Sequence, residues 1–387
     1  MHRRFSCWDS PDCKHLGVPV YGIDDCRRRT VPHRGFAAVQ DDIMLTYDEG
    51  LSMLPFKLIY SDAYFLPIGN HVFPAEKYRR VHDRLISIGI AAAEDFLEPQ
   101  PATDQDILLV HKPEYVQKLR TGTLSPREEM EMEIPYSREL ADAFWLAAGG
   151  SILAARQSLT DGVSISIGGG FHHAFPDHGE GFCMIHDVAV AIRRLQRDDK
   201  ISTAMTVDCD VHQGNGTAAI FAGTRTASAL LPSSSVSTVE HPKNAPRGKM
   251  RGAHAGDVFT ISLHQHNNYP LWKPPSSIDV DLPDGCGDDD YLAWLDNALS
   301  SGLRQFEPDL ICYIAGADPY MEDQLGGLNL SIEGLKKRDE LVFRVTRARN
   351  IPVMVTFAGG YAQNVEDTVT IHSNTVIAAR EVFSNSK

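Results

Sequence analysis

Short apolar, β-branched runs recur along the chain from residue 56 onward: "FKLIY" (56–60), "DILLV" (106–110), "VSISIG" (163–168), "STAMTV" (202–207), "DVFTISL" (257–263), "DLICYIA" (309–315) and "PVMVTF" (352–357). Their length and composition predict strands. Between most of them the apolar positions take the three-to-four spacing of amphipathic helices, as in residues 75–90, 137–159, 288–306 and 331–350. The last of these opens at Ser331, a side chain suited to an N-cap, and closes before Pro352. Strands that are apolar throughout and alternate with helices predict parallel pairing with both faces covered. The expected fold class is α/β: one domain on a central, mostly parallel sheet of about eight strands, with helices on both faces.

Two stretches break this rhythm. Residues 1–55 carry "RRRT" with scattered Cys and Pro and read as an N-terminal leader without the positive start and apolar core of a signal peptide. Residues 225–256, rich in Ser, Pro and basic side chains, predict a long loop. It is either a functional lid or a tolerated insertion, with insertion the favoured reading. The α/β domain accordingly spans 56–387.

Composition narrows the function classes. The chain has 387 residues, 43% hydrophobic and 23% charged, which suffices for a large core and excludes a disordered chain. A formal net charge of −14 argues against nucleic acid as a partner, because phosphate binding needs clustered Lys and Arg. A cationic or neutral substrate fits better. No apolar run reaches the ~18 residues of a membrane span. The nearest, around 143–155, is interrupted by Gly149 and Gly150. Seven cysteines show no zinc-finger pairing, and Cys209 and Cys312 sit inside apolar runs as expected of buried free thiols. That implies a reducing compartment: cytoplasmic, or nuclear or organellar in a eukaryote. Cys7, Cys13 and Cys26, with His15 and His33 nearby, lack C-x-x-C spacing and read as part of the leader.

Four of the strand-like runs end in unusual chemistry. "VDCDVHQGNG" (207–216) places Asp208, Asp210 and His212 at every second position, so alternation predicts that they project to one side. Met205, Val207, Cys209 and Val211 take the other. The run from 163 finishes in His172 and His173, the run from 309 in Asp318, and the run from 352 in Gly359, Gly360 and Tyr361. Taken singly, an Asp after a strand is more often a helix cap and a Tyr more often a packed surface residue. All four tips, however, fall at the carboxyl ends of predicted parallel strands, where open α/β sheets bind ligands. Asp210, His212 and Asp318 suit a divalent metal of zinc or ferrous type and leave a coordination position for water. A neighbouring His can move a proton and a Tyr hydroxyl can stabilise an oxyanion. Metal-assisted hydrolysis of an amide or a similar bond is the expected chemistry.

"GGGFHHAFPDHGEGFC", "VDCDVHQGNGT", "AGADPYMEDQLGGL" and "AGGYA" closely resemble motifs of the histone deacetylase family, nearest to the class IV-like and bacterial branch of the arginase/deacetylase fold. The resemblance runs from residue 56 to the C-terminus and excludes the leader and the 225–256 loop. It implies that Asp210, His212 and Asp318 hold Zn2+ or Fe2+. His172 and His173 match the paired active-site histidines, with His173 the principal general base and acid and Asp208 the carboxylate partner of His172. Asn215 takes the partner position for His173 that some branches fill with Asp, which implies a less basic His173. Tyr361 matches the tyrosine that polarises the scissile carbonyl. Gly181 and Phe182 match the wall of an acyl-lysine tunnel, with Leu325 at its lining and Gly360 beside the substrate. A structural K+ would use Asp208, the carbonyls of Asp210 and His212, Ser262 and Leu263. Gly214 and Tyr320 stand where binuclear manganese relatives carry carboxylates, so one metal is implied and hydrolysis of guanidines is disfavoured. The implied activity is removal of acetyl or longer acyl groups from lysine side chains of proteins. The alternative is a small-molecule deacylase such as an acetylpolyamine amidohydrolase. Neither reading involves nucleic acid or membrane, and the sequence sets no oligomeric state.

Overall fold

Apolar runs without polar alternation fold here as the buried strands of one parallel sheet. The structure, a computed structural model, describes residues 53–222 and 258–384. The 225–256 insertion lies outside them, as does the 1–55 leader apart from its last three residues. The strands are β1 (Leu58–Ile59), β2 (Phe96–Leu97), β3 (Val163–Ser166), β4 (Ala204–Asp208), β5 (Val258–Gln265), β6 (Ile278–Leu282), β7 (Leu310–Ile314) and β8 (Val353–Thr356). They pair in the order β2-β1-β3-β8-β7-β4-β5-β6, every pair parallel. Every residue of β3, β4, β7 and β8 is buried. Successive side chains point to opposite faces, so both faces of these central strands are covered. The expected α/β class is the observed one.

The helices are α1 (Lys77–Ser87), α2 (Asp104–Ile107), α3 (Pro113–Thr121), α4 (Pro126–Met132), α5 (Arg138–Asp161), α6 (Asp187–Arg197), α7 (Asn215–Phe221), α8 (Asp288–Gln305), α9 (Ile332–Ala348) and α10 (Val365–Phe383). Among these described helices none is long and apolar enough to cross a membrane. The longest, α5, starts where the Ser137 hydroxyl accepts the Leu140 N–H and stops at Gly162 in the left-handed conformation (φ 85°). Gly149 and Gly150, which interrupt its apolar run, lie tight against neighbouring elements. A side chain at the first would collide with the Gln100 carbonyl oxygen, and one at the second with the Tyr64 hydroxyl. Cys209 and Cys312 are buried free thiols, as expected.

One predicted strand is not a strand. "DILLV" enters α2 and the turn after it, because a capping box starts a helix there: the Asp106 N–H donates to Thr103 Oγ1 at 3.2 Å and the Thr103 N–H to Asp106 Oδ2 at 3.0 Å. Conversely, the apolar-run criterion passes over β2, which is two residues long, and β6, an edge strand whose burial alternates.

Behind the carboxyl edge of the sheet, α9 carries Arg338, a fully buried guanidinium. Its Nη1 donates to the carbonyl oxygens of Gly316 at 2.6 Å and Cys209 at 3.3 Å, and its Nε to Asp339 Oδ1 at 2.9 Å. It therefore ties together, from behind, the two segments that deliver Asp210 and Asp318. Replacing it leaves Asp339 as an uncompensated buried charge, so Arg338→Met is expected to destabilise the fold by about 3–5 kcal/mol in urea titrations. A loss below about 1 kcal/mol would mean that the ion pair does not hold these segments.

Candidate active site

Because all strands are parallel, their carboxyl ends share one edge, and the four motif-bearing tips meet there. Regular strand geometry ends at Asp208, so the alternation argument runs past the element that supports it. Asx-type turns continue the pattern instead: the Asp210 N–H donates to Asp208 Oδ1 at 3.1 Å and the His212 N–H to Asp210 Oδ1 at 3.0 Å. Asp208 consequently does not join Asp210 and His212 but turns to His172, with Oδ2 at 2.7 Å from its Nδ1.

Asp210, His212 and Asp318 are buried, and one donor atom from each lies within 4.8 Å of the others. His212 Nδ1 is 3.1 Å from Asp210 Oδ1 and 3.4 Å from Asp318 Oδ2. Asp318 Oδ1 accepts the Val211 N–H and Asp210 Oδ2 the Gly359 N–H, both at 2.9 Å, whereas Asp318 Oδ2 is buried with no hydrogen bond. A side chain at residue 359 would collide with that same oxygen, so the glycine keeps the space beside it clear. Burial and the charge of Asp210 lift the Asp318 carboxyl to about 7. Burial alone would depress the His212 imidazole, yet hydrogen bonds and charge from Asp210 and Asp318 raise it to about 10. Buried acidic side chains this close need a compensating positive charge, and the N,O,O donor set fits a zinc-type divalent ion.

The two histidines beside this cluster are pushed apart. Burial disfavours charge on His172, but Asp208, helped by Asp210, overcomes it and raises the ring to about 9. His173 is held well below its ordinary value by burial and by the charges of His172 and His212, against a hydrogen bond to Asn215. His173 Nδ1 lies 2.7 Å from Asn215 Oδ1, and the two rings are 4.1 Å apart. One imidazolium next to one neutral imidazole is the pattern of an assigned acid–base pair. Burial and the nearby Asp210 and Asp318 keep the Tyr361 phenol protonated, and its ring lies 6.4 Å from that of His212.

A cavity of about 170 Å³ opens from this floor, where His173, His212 and Tyr361 line it. Gly181, Phe182 and Tyr269 form its walls and Leu325 closes one side. Phe182 adopts the left-handed conformation (φ 65°), rare for a bulky residue, with its N–H bonded to the Met132 carbonyl at 3.0 Å. At the foot, beside His172 and Ala358, a void of only about 20 Å³ remains. Gly360 lines neither space; a side chain there would meet Ala317 and Thr368 at 2.9 Å. Ser262 stands opposite Asp208 in the β4–β5 register, next to Leu263, and its hydroxyl is 3.0 Å from His264 Nδ1.

Sequence reasoning missed Tyr269, Glu133 and Asn268, which also border the cavity. Tyr269 and Asn268 lie between β5 and β6 in a stretch without periodicity. Glu133 closes α4 in the left-handed conformation (φ 62°), a cap that a glutamate does not announce.

A family profile described as "Histone deacetylase domain" matches residues 71–376. An uncharacterized protein of a Picosynechococcus strain is 36% identical over 85% of this chain and 99% of its own length. Histone deacetylase 2 of Arabidopsis thaliana is 31% identical over 83% of this chain and 78% of its own. Among solved structures, a histone deacetylase homolog complexed with SAHA has a TM-score of 0.65 at 23% identity, covering 86% of this chain and 84% of that one. Another, from Aquifex aeolicus, gives 0.63 at 22% identity over 85% and 88%.

Proposed function

The chain belongs to the histone deacetylase family, and from that premise we propose that it is a metal-dependent lysine deacetylase. The observation that carries the reading is the buried Asp210–His212–Asp318 cluster beside the His172–His173 pair, at the foot of a cavity walled by Phe182 and Tyr269. Asp210, His212 and Asp318 would hold one divalent ion, zinc or ferrous iron. When bound, such an ion supplies Lewis acidity, polarising the amide carbonyl and acidifying an adjacent water.

The remaining steps belong to the side chains. Asn215 Oδ1 faces His173 Nδ1, which leaves Nε2 with its lone pair to take the proton from the attacking water. The same nitrogen returns it to the departing lysine amine, and acetate is the second product. His172, charged and paired with Asp208, offsets negative charge building at the carbonyl. The protonated Tyr361 hydroxyl donates to that oxygen. Phe182 and Tyr269 flank the aliphatic stem, and Glu133 at the tunnel suits a substrate carrying N–H groups or a positive charge. Asp208 and Ser262 on adjacent strands support a structural K+ there, with Leu263 and the carbonyls of Asp210 and His212 as further donors. Residues 56–387 form the catalytic domain in this reading, and buried free thiols suit a reducing compartment such as the cytoplasm.

The foot void of about 20 Å³ holds little more than a water or a methyl group, which favours acetyl over longer acyl chains. A lysine peptide bearing acetyl, butyryl or myristoyl groups, assayed with zinc and with ferrous iron, tests this beside acetylspermidine. The acetyl peptide is expected to be the best substrate, with the butyryl peptide at least about tenfold poorer in kcat/KM. Turnover of the polyamine alone would replace this reading by the small-molecule one.

A further inference from the structure

Glu180, one residue before the tunnel wall, is used by nothing described so far. Its side chain is 19% exposed, with Oε2 3.6 Å from His178 Nε2. Oε1 accepts two hydrogen bonds, from Asn215 Nδ2 at 2.8 Å and from the Tyr269 hydroxyl at 2.6 Å. Burial pushes the Glu180 carboxyl up, but bonds from His178, Tyr269 and Asn215 outweigh it and hold the group ionised.

An ionised carboxylate accepts and never donates, so the atom of Asn215 that faces it has to be the amide nitrogen. The amide oxygen then faces the other way, where the Gly216 N–H donates to it at 3.0 Å and His173 Nδ1 lies at 2.7 Å. An oxygen there can only accept, so the His173 proton resides on Nδ1 and the lone pair on Nε2. We propose that Glu180 is a positioning residue: through the Asn215 amide it fixes which nitrogen of His173 carries the proton, and through the Tyr269 hydroxyl it pins the tunnel wall. The proposal rests on the reading of His173 as the general base.

It also accounts for an amide rather than a carboxylate at position 215. An aspartate there would set two carboxylates at hydrogen-bond distance with no proton between them, and like charges so placed cannot both remain ionised. Glu180 and Asn215 therefore work as a matched pair. Placing a carboxylate at position 215 should be tolerable only if Glu180 loses its own.

The test reads the His173 tautomer directly, by two-bond proton–nitrogen correlation spectra of the zinc-loaded full chain labelled with 15N-histidine, His173 being assigned by its loss in His173→Ala. The wild type is expected to show Nδ1–H. Glu180→Leu, which offers no acceptor, is expected to give a mixture of tautomers and to lower kcat about tenfold, with any rise in KM matched by Tyr269→Phe, which frees the wall alone. Glu180→Gln, which keeps an acceptor, is expected to retain the Nδ1–H form. Tyr269→Phe removes only the wall anchor and should leave the tautomer untouched. Should Glu180→Leu fail to fold, the reciprocal pair decides: Asn215→Asp is expected to lose about tenfold in kcat and Glu180→Gln/Asn215→Asp to recover most of it, since the new amide can donate to the aspartate. A wild-type tautomer ratio in a folded Glu180→Leu protein, or no recovery in the double variant, overturns the proposal. The tautomer readout needs no turnover, so a protein inert towards acyl-lysine whose His173 still responds to Glu180 would sink the proposed function and leave this inference standing.

Discussion

His173→Ala is expected to lower kcat roughly a thousandfold, within the range for loss of a general acid–base group, while metal content and KM stay close to those of the parent protein. The expectation follows from how the site divides its work. His173 bonds Asn215 through Nδ1 and is not one of the three clustered donors, so its removal leaves Asp210, His212 and Asp318 in place. Its partner His172 cannot substitute, because Asp208, 2.7 Å from its Nδ1, favours the charged ring and a protonated imidazole accepts nothing. Elemental analysis and steady-state kinetics on the same preparation check both halves. Loss of metal would assign His173 to the metal site, and retention of a tenth or more of kcat (a change of about 1.4 kcal/mol or less in the barrier) would remove it from proton transfer.

Much of this site is legible in the sequence because it lies at strand ends. β4, β7 and β8 are buried on both faces, so each stands out as an apolar run, and the polar residue that breaks each run marks the carboxyl edge. Asp318 and Tyr361 are found in that way. Alternation, by contrast, groups Asp208 with Asp210 and His212, whereas Asx-type turns past the strand separate them. Tyr269, Glu133 and Glu180 leave no periodic signal, since loop backbone places them and their partners are distant in the chain: Glu180 meets Asn215 and Tyr269 only after folding. In the fold, "DILLV" misleads because an apolar run of that length suits a strand or a buried helical turn equally, and Thr103 with Asp106 decides for the helix. β6 escapes because only one face of an edge strand of this kind is covered, so its sequence "IDVDL" never becomes an apolar run.

Removing the metal is expected to abolish turnover and to open a stability gap from the loaded protein that widens toward alkaline pH. In the metal-free cluster three groups bind protons more tightly than in the unfolded chain: Asp318 at about 7 against 3.8, His172 at about 9 and His212 at about 10 against 6.5. A group raised in this way contributes stability that is complete below its unfolded value and is lost as pH climbs through its folded value. Asp318 therefore acts across roughly pH 4 to 7, and the two histidines from about 6.5 to about 10. All three contributions fall in the same direction, and because they share one charge cluster the total is expected to be a few kcal/mol rather than their sum, at ~1.4 kcal/mol per unit for a single group. A bound divalent ion replaces the protons on Asp318 and His212, so the melting temperatures of the metal-loaded and chelator-treated proteins should diverge steadily between pH 5 and 9. Asp318→Asn supplies the internal control: it is expected to lose metal binding and activity together, yet, lacking the buried carboxyl, to escape the portion of the decline below pH 7. Thermal melts of the three preparations at pH 5, 7 and 9 decide the matter. A gap between the loaded and chelated proteins that narrows as pH rises, or an Asp318→Asn protein that still takes up one equivalent of zinc, would show that Asp210, His212 and Asp318 are not the cation's seat.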